Sequence, residues 1–152
     1  MSYIMQIIET EKQPVMSVRV TTSLKDMPGI VGPNFGKVVD YIVKNGAEPL
    51  GPAFIAYFNM DMDNLIIEIG FPVTQELEGN AEIALRYIPA GRKAIGFHKG
   101  AYSELGTLYE RLTRFISEKG HQPSGIVYEY YYNSPEEVPE SELLTKAEFI
   151  LA

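Results

Sequence analysis

The sequence predicts an α+β fold built from two β-α-β-β units, and three observations carry that reading. Short apolar, β-branched runs alternate with two stretches whose apolar residues recur at helix spacing. The segment Asn45-Gly-Ala-Glu-Pro-Leu-Gly51 returns 74 residues later as Lys119-Gly-His-Gln-Pro-Ser-Gly125. At that one offset Gly46, Pro49, Gly51, Tyr57 and Asn59 fall on Gly120, Pro123, Gly125, Tyr131 and Asn133, and Phe35 and Ile42 fall on Tyr109 and Ile116. Turns and helices therefore repeat together. The expectation is a single domain, residues 1–152, with repeat one about 1–79 and repeat two about 80–152, each helix lying on one face of antiparallel strands.

Taken in order, Tyr3 to Ile8 is a short apolar strand and Pro14 to Thr22 an alternating, β-branched one. A loop holding Lys25, Asp26, Pro28 and Gly29 leads to a helix from about Val31 or Asn34 to Lys44, with Phe35, Val38, Val39 and Ile42 on one face. Asn45-Gly46 ends it through a left-handed glycine. Gly51 to Asn59 and Asn64 to Val73 are strands joined by a polar turn, and a linker follows from about Thr74 to Asn80. Ala81 to Pro89 and Gly91 to Gly100 read as strands. Tyr102 to Lys119 is a helix with Leu105, Leu108, Tyr109, Leu112, Phe115 and Ile116 on one face, stopped by Gly120. Val127 to Asn133 then pairs with Thr145 to Leu151 across an acidic turn, Ser134 to Glu142.

Composition narrows the function. The formal net charge of -7, with no cluster of Lys and Arg, argues against direct contact with a nucleic-acid backbone. No cysteine is present, so disulfides and thiolate zinc sites are excluded. The start has no secretory pattern and no run is long enough to cross a bilayer, so a cytoplasmic protein with no membrane partner is expected. No cofactor is implied. Gly32-Pro-Asn-Phe-Gly36-Lys37 falls one residue short of a phosphate loop and has Val38 at the Ser/Thr position. His98 and His121 lack metal-ligand spacing, no G-x-S-x-G marks a nucleophile, and Asp61, Asp63 and Asn64 read as a solvated turn.

The stretch that carries chemistry is Gly120 to Asn133, where one carboxylate, Glu129, stands among tyrosines. Strand alternation sends Val127, Glu129 and Tyr131 to one face and Tyr128, Tyr130 and Tyr132 to the other. From residue types alone, a Glu129 facing water is the plainer reading. The repeat sets Glu129 opposite Ile55 and Tyr131 opposite Tyr57, and matches Tyr128, Tyr130 and Tyr132 to Phe54, Ala56 and Phe58. With the helices over the second set, Glu129 and Glu68 both look out of uncovered faces into one groove, and Leu65, Ile67, Ile69 and Phe71 face the helix.

Leu50-Gly-Pro-Ala-Phe54, Ile67-Glu-Ile-Gly-Phe-Pro-Val73, Gly100-Ala-Tyr-Ser-Glu-Leu105 and Tyr128-Glu-Tyr-Tyr-Tyr-Asn-Ser-Pro135, in this order, resemble the GyrI-like small-molecule-binding domain, the effector-binding half of AraC- and MerR-type regulators that also occurs alone. The resemblance covers nearly the whole chain. It implies a pseudo-twofold, SHS2-type pair of units with a ligand groove between the repeats, where a glutamate at the position of Glu129 meets lipophilic, often cationic, aromatic molecules. Glu129, Tyr131, Glu68, Tyr57, Ile55 and Tyr102 are the expected ligand-binding residues. The resemblance also admits hydrolysis of cyclopropanoid compounds, with Glu129, Glu68 and Tyr131 as the candidate catalytic groups, and a gyrase-inhibitor-like role with a protein partner. A binding module is expected over an enzyme. The two units consume the chain and leave no room for a DNA-reading helix-turn-helix, so any role in transcription would run through a regulatory protein partner; a homodimer is also compatible. Lys146, where an acid is common, is a departure.

Overall fold

The computed structural model describes residues 4–152; Tyr3, the expected start of the first strand, lies outside them. Eight strands and two α-helices are found among the described residues: β1 (Met5–Thr10), β2 (Gln13–Thr22), α1 (Met27–Lys44), β3 (Ala53–Tyr57), β4 (Leu65–Pro72), β5 (Ala84–Ile88), β6 (Gly91–Lys99), α2 (Leu105–Glu118), β7 (Pro123–Tyr131) and β8 (Leu144–Leu151). The class is α+β, with β-α-β-β running twice as β2-α1-β3-β4 and β6-α2-β7-β8. No helix among the described residues is long and apolar enough to cross a membrane.

The chain forms two compact units. The continuous one is Glu11–Ala90 and the discontinuous one joins the chain through Thr10 to Gly91–Ala152. In the continuous unit the strands run β3-β4-β2-β5, antiparallel throughout, with α1 packed on β4 and β2. In the discontinuous unit they run β1-β6-β8-β7, again antiparallel, with α2 over β6. The leading strands are exchanged relative to the sequence repeats: β1 precedes β2 but pairs with β6, while β5 precedes β6 but pairs with β2.

The repeat holds down to single hydrogen bonds. After α1, the Gly46 N–H donates to Val43 O and the Ala47 N–H to Ile42 O; after α2, the same two bonds recur 74 residues on, from Gly120 to Ser117 O and from His121 to Ile116 O. Both glycines are left-handed, at φ 80° and 78°, a conformation that lets a helix end on itself. The Asn59 amide closes one hairpin loop by donating to Asn64 O and accepting from Ile66 N, and Asn133 does the same with Glu142 O and Leu144 N.

α1 begins earlier than expected. The loop read at Asp26 to Gly29 is its first turn, because Pro28 stands where a helix has no use for an N–H. Pro33, inside the helix, withholds one donor, and next to it the Asn34 amide donates to Ile30 O at 2.8 Å.

The discontinuous unit packs Leu105, Leu108, Leu112 and Ile116 of α2 on Ala94, Ala147, Val127 and Phe149. Gly96 lets the helix sit low, since a Cβ there would come within 2.8 Å of Leu108 Cδ1 and 3.3 Å of Leu112 Cδ1.

Candidate functional site

The faces of β7 are the reverse of the sequence expectation. Val127 lies opposite Phe149 and Glu129 opposite Ala147, and Val127, Ala147 and Phe149 all belong to the core beneath α2. Glu129 and Tyr131 therefore look toward the helix, and Tyr128, Tyr130 and Tyr132 away from it. The same correction holds in the continuous unit: Ile55 lies opposite Ile69 and Tyr57 opposite Ile67, on the side of Phe71, whose ring meets Phe35 of α1 at 5.8 Å. Leu65, Ile67, Ile69 and Phe71 face the helix as expected, and Glu68 does not. Alternation within β7 could not choose between its faces, since aromatic side chains stand on both. The small residues on neighbouring strands, Ala94, Gly96 and Ala147, decide where a helix fits.

Around Glu129 three tyrosines converge. The Tyr109 hydroxyl, from the second turn of α2, donates to Glu129 Oε2, and the Tyr131 hydroxyl donates to Oε1 at 2.6 Å. Tyr102, in a 3-10 turn just before α2, stands edge-on to Tyr131 at 5.7 Å, and Tyr109 stands edge-on to Phe149 at 5.3 Å. Glu129 is 7% exposed and Tyr102 38%, so the cluster runs from a nearly dry carboxylate to a ring at the surface. Burial raises the Glu129 pKa, and the two tyrosine hydrogen bonds pull it partly back. Burial, then the Glu129 charge, raises the Tyr102 hydroxyl pKa.

The neighbouring row of the same face is polar too. Tyr131 lies opposite Thr145, and Thr145 opposite His98. His98 Nε2 is 3.0 Å from Ala101 O, and since a carbonyl only accepts, that nitrogen carries the proton and tethers the segment ahead of Tyr102. Sequence reasoning missed Tyr109, which it took for helix core, and Thr145. The signal was available for Tyr109: at the 74-residue offset its counterpart is Phe35, so the hydroxyl is an addition to a position the fold fills with a plain ring.

Glu68 belongs to a different arrangement. Arg19 Nε and Nη2 donate to its Oε2 at 3.0 and 2.5 Å, and Arg86 Nε lies 3.5 Å from the same oxygen. Arg86 is held in turn by Ser17, donating to its O at 2.8 Å and its Oγ at 3.0 Å. Glu68 is 3% exposed and already balanced by two guanidinium groups. A second buried polar group lies on the helix-free face of the discontinuous unit, where the Tyr130 hydroxyl donates to Glu148 Oε1 at 2.9 Å and Lys93 Nζ donates to Thr10 Oγ1. Burial lowers the Lys93 pKa, opposed by the charge of Glu148.

The sequence model of the family described as the GyrI-like small molecule binding domain matches residues 5–149. No curated protein matches the chain. Among solved structures, the C-terminal domain of EcmrR superposes with a TM-score of 0.85 at 21% identity, over 100% of this chain and 99% of that one. In an EcmrR–DNA complex the match has a TM-score of 0.83 at 19% identity and covers 98% of this chain but 57% of that one, so this chain spans a little over half of that protein. A Listeria innocua protein described as a hydrolase gives 0.73 at 12% identity, covering 97% and 91%. SAV2435, solved bound to tetraphenylphosphonium, gives 0.69 at 10% identity, covering 100% and 94%. At these identities the likeness to solved structures is one of fold.

Proposed function

Because the chain belongs to the GyrI-like small-molecule-binding domain family, we propose that it binds lipophilic, cationic aromatic molecules at the Glu129 cluster. One observation carries the reading: a carboxylate 7% exposed is held, among the described residues, by two tyrosine hydroxyls and paired with no Lys, Arg or His. A charge so placed is costly unless a cation arrives to compensate it. Glu68, with two arginines on it, has no such need. The rings of Tyr102, Tyr109 and Tyr131 supply faces for a delocalised cation, and Tyr102 gives the cluster its surface end. Tetraphenylphosphonium, the ligand of SAV2435, is a suitable probe.

Since a cation favours the ionised carboxylate, uptake should expel a proton from Glu129 and strengthen as pH rises through its raised pKa. Titration with a planar cationic dye, competed by tetraphenylphosphonium, should show saturable binding that falls about tenfold or more in Glu129→Gln. Equal affinity in the variant would withdraw the proposal.

A hydrolytic reading has its own support in the short Tyr131 to Glu129 bond, which joins a carboxyl of raised pKa to a hydroxyl able to donate. Glu129 would take a proton from water as its oxygen attacks a strained ring carbon; the breaking C–C bond leaves its electron pair on the electrophile, which Tyr131 protonates. Mass spectrometry after incubation with a cyclopropane electrophile decides: a product one water heavier that is absent with Glu129→Gln supports turnover, and no product removes it.

A further inference from the structure

The two units supply an internal comparison, because their strands pair in equivalent registers. Tyr57 lies opposite Ile67 and Ile67 opposite Val20 in the continuous unit, as Tyr131 lies opposite Thr145 and Thr145 opposite His98 in the other. Thus Glu129, Tyr109, Thr145 and His98 occupy the places of Ile55, Phe35, Ile67 and Val20. Four apolar positions on the helix side of one unit are four polar positions in the other, while Phe71 and Phe149 keep the same ring contact with the helix. The fold itself asks for no polar atom at any of the four.

Three of them make a side-chain hydrogen bond within the unit. Tyr109 serves Glu129, Glu129 accepts from two tyrosines, and His98 holds Ala101. Thr145 has none. It is fully buried, and its Oγ1 makes no hydrogen bond among the described residues. A hydroxyl left unpaired in the interior is destabilising, whereas an apolar side chain of the same shape carries no such penalty, and Ile67 shows that an apolar side chain fits the equivalent place.

We propose that Thr145 determines specificity, and that the ligand carries, besides its cationic aromatic part, a hydroxyl, carbonyl or amine that reaches the Thr145 hydroxyl. This rests on the cation-binding reading above and names its ligand class more narrowly. Thr145 sits diagonally across the strand pair from Glu129, a placement that separates the two residues by about 7 Å. A single rigid aromatic ring spans that interval. The recognised molecule is therefore a lipophilic cation with a polar substituent on the far side of one ring.

The test uses two probes that differ by one oxygen, tetraphenylphosphonium and its mono(4-hydroxyphenyl) analogue, titrated calorimetrically into the wild-type protein, Thr145→Val and Glu129→Gln. The wild type should prefer the hydroxylated probe by roughly three- to tenfold. Thr145→Val should lose that preference while binding the parent probe within about twofold of wild type. Glu129→Gln should weaken both probes alike. An undiminished preference in Thr145→Val, or none in the wild type, overturns the specificity role and leaves the cation site standing. No binding of either probe to the wild type removes the cation reading, and this inference with it. Thermal denaturation supplies an independent check: Thr145→Val should be at least as stable as wild type, and a marked loss would show that the hydroxyl serves the fold, which also overturns the proposal.

Discussion

Glu129 is an acid whose proton is bound more tightly in the folded chain than in the unfolded one, because burial outweighs the two tyrosine hydrogen bonds. A raised folded pKa means its full contribution to stability is present below the unfolded carboxyl pKa and is lost as pH rises through the folded value. Glu129→Gln removes that loss and keeps an acceptor for a tyrosine. Urea midpoints measured across the acid-to-neutral range should therefore show the variant gaining on wild type as pH rises, with the difference smallest below about pH 4. A constant difference would mean that the carboxyl is not perturbed. Chemistry at this scale was half legible. Tyrosines around a lone carboxylate marked Glu129, but which face it took depended on Ala94, Gly96 and Ala147, none of which carries a chemical signature of its own.

At the scale of elements, α2 does two jobs: its leucines cover the sheet and its Tyr109 completes the acid's hydrogen bonds. Both depend on how low it sits over Gly96. Gly96→Ala puts a methyl against Leu108 and Leu112 and should cost about 1–3 kcal/mol in urea denaturation. Lifting the helix also draws Tyr109 from Glu129, so dye affinity should fall together with stability; loss of stability at unchanged affinity would separate the two jobs. The strands were readable from alternation to within a few residues, as was the end of each helix from its glycine. The start of α1 was not, because proline and glycine in Met27-Pro-Gly signal a loop as readily as a first helical turn.

For the whole molecule, the 74-residue repeat was the most informative pattern in the sequence. It set both helices and both glycine caps in one register, and it matched residues whose side chains do the same work, such as Asn59 and Asn133. It could not show the exchange of leading strands. A repeat compares a segment with its copy, whereas the pairing of β1 with β6 joins a strand of the first repeat to a strand of the second.

That exchange bears on the order in which the molecule comes together. Everything the continuous unit needs is made in one uninterrupted run, Glu11–Ala90, whereas Thr10 meets its neighbour Gly91 only after the whole of that run has intervened. Pulse-labelled hydrogen exchange during refolding should find amides of β2 and β4 protected ahead of those of β1; simultaneous protection would contradict this. In the cell, β1 would leave the ribosome ahead of the seven strands that follow it here and still be among the last of the eight to settle.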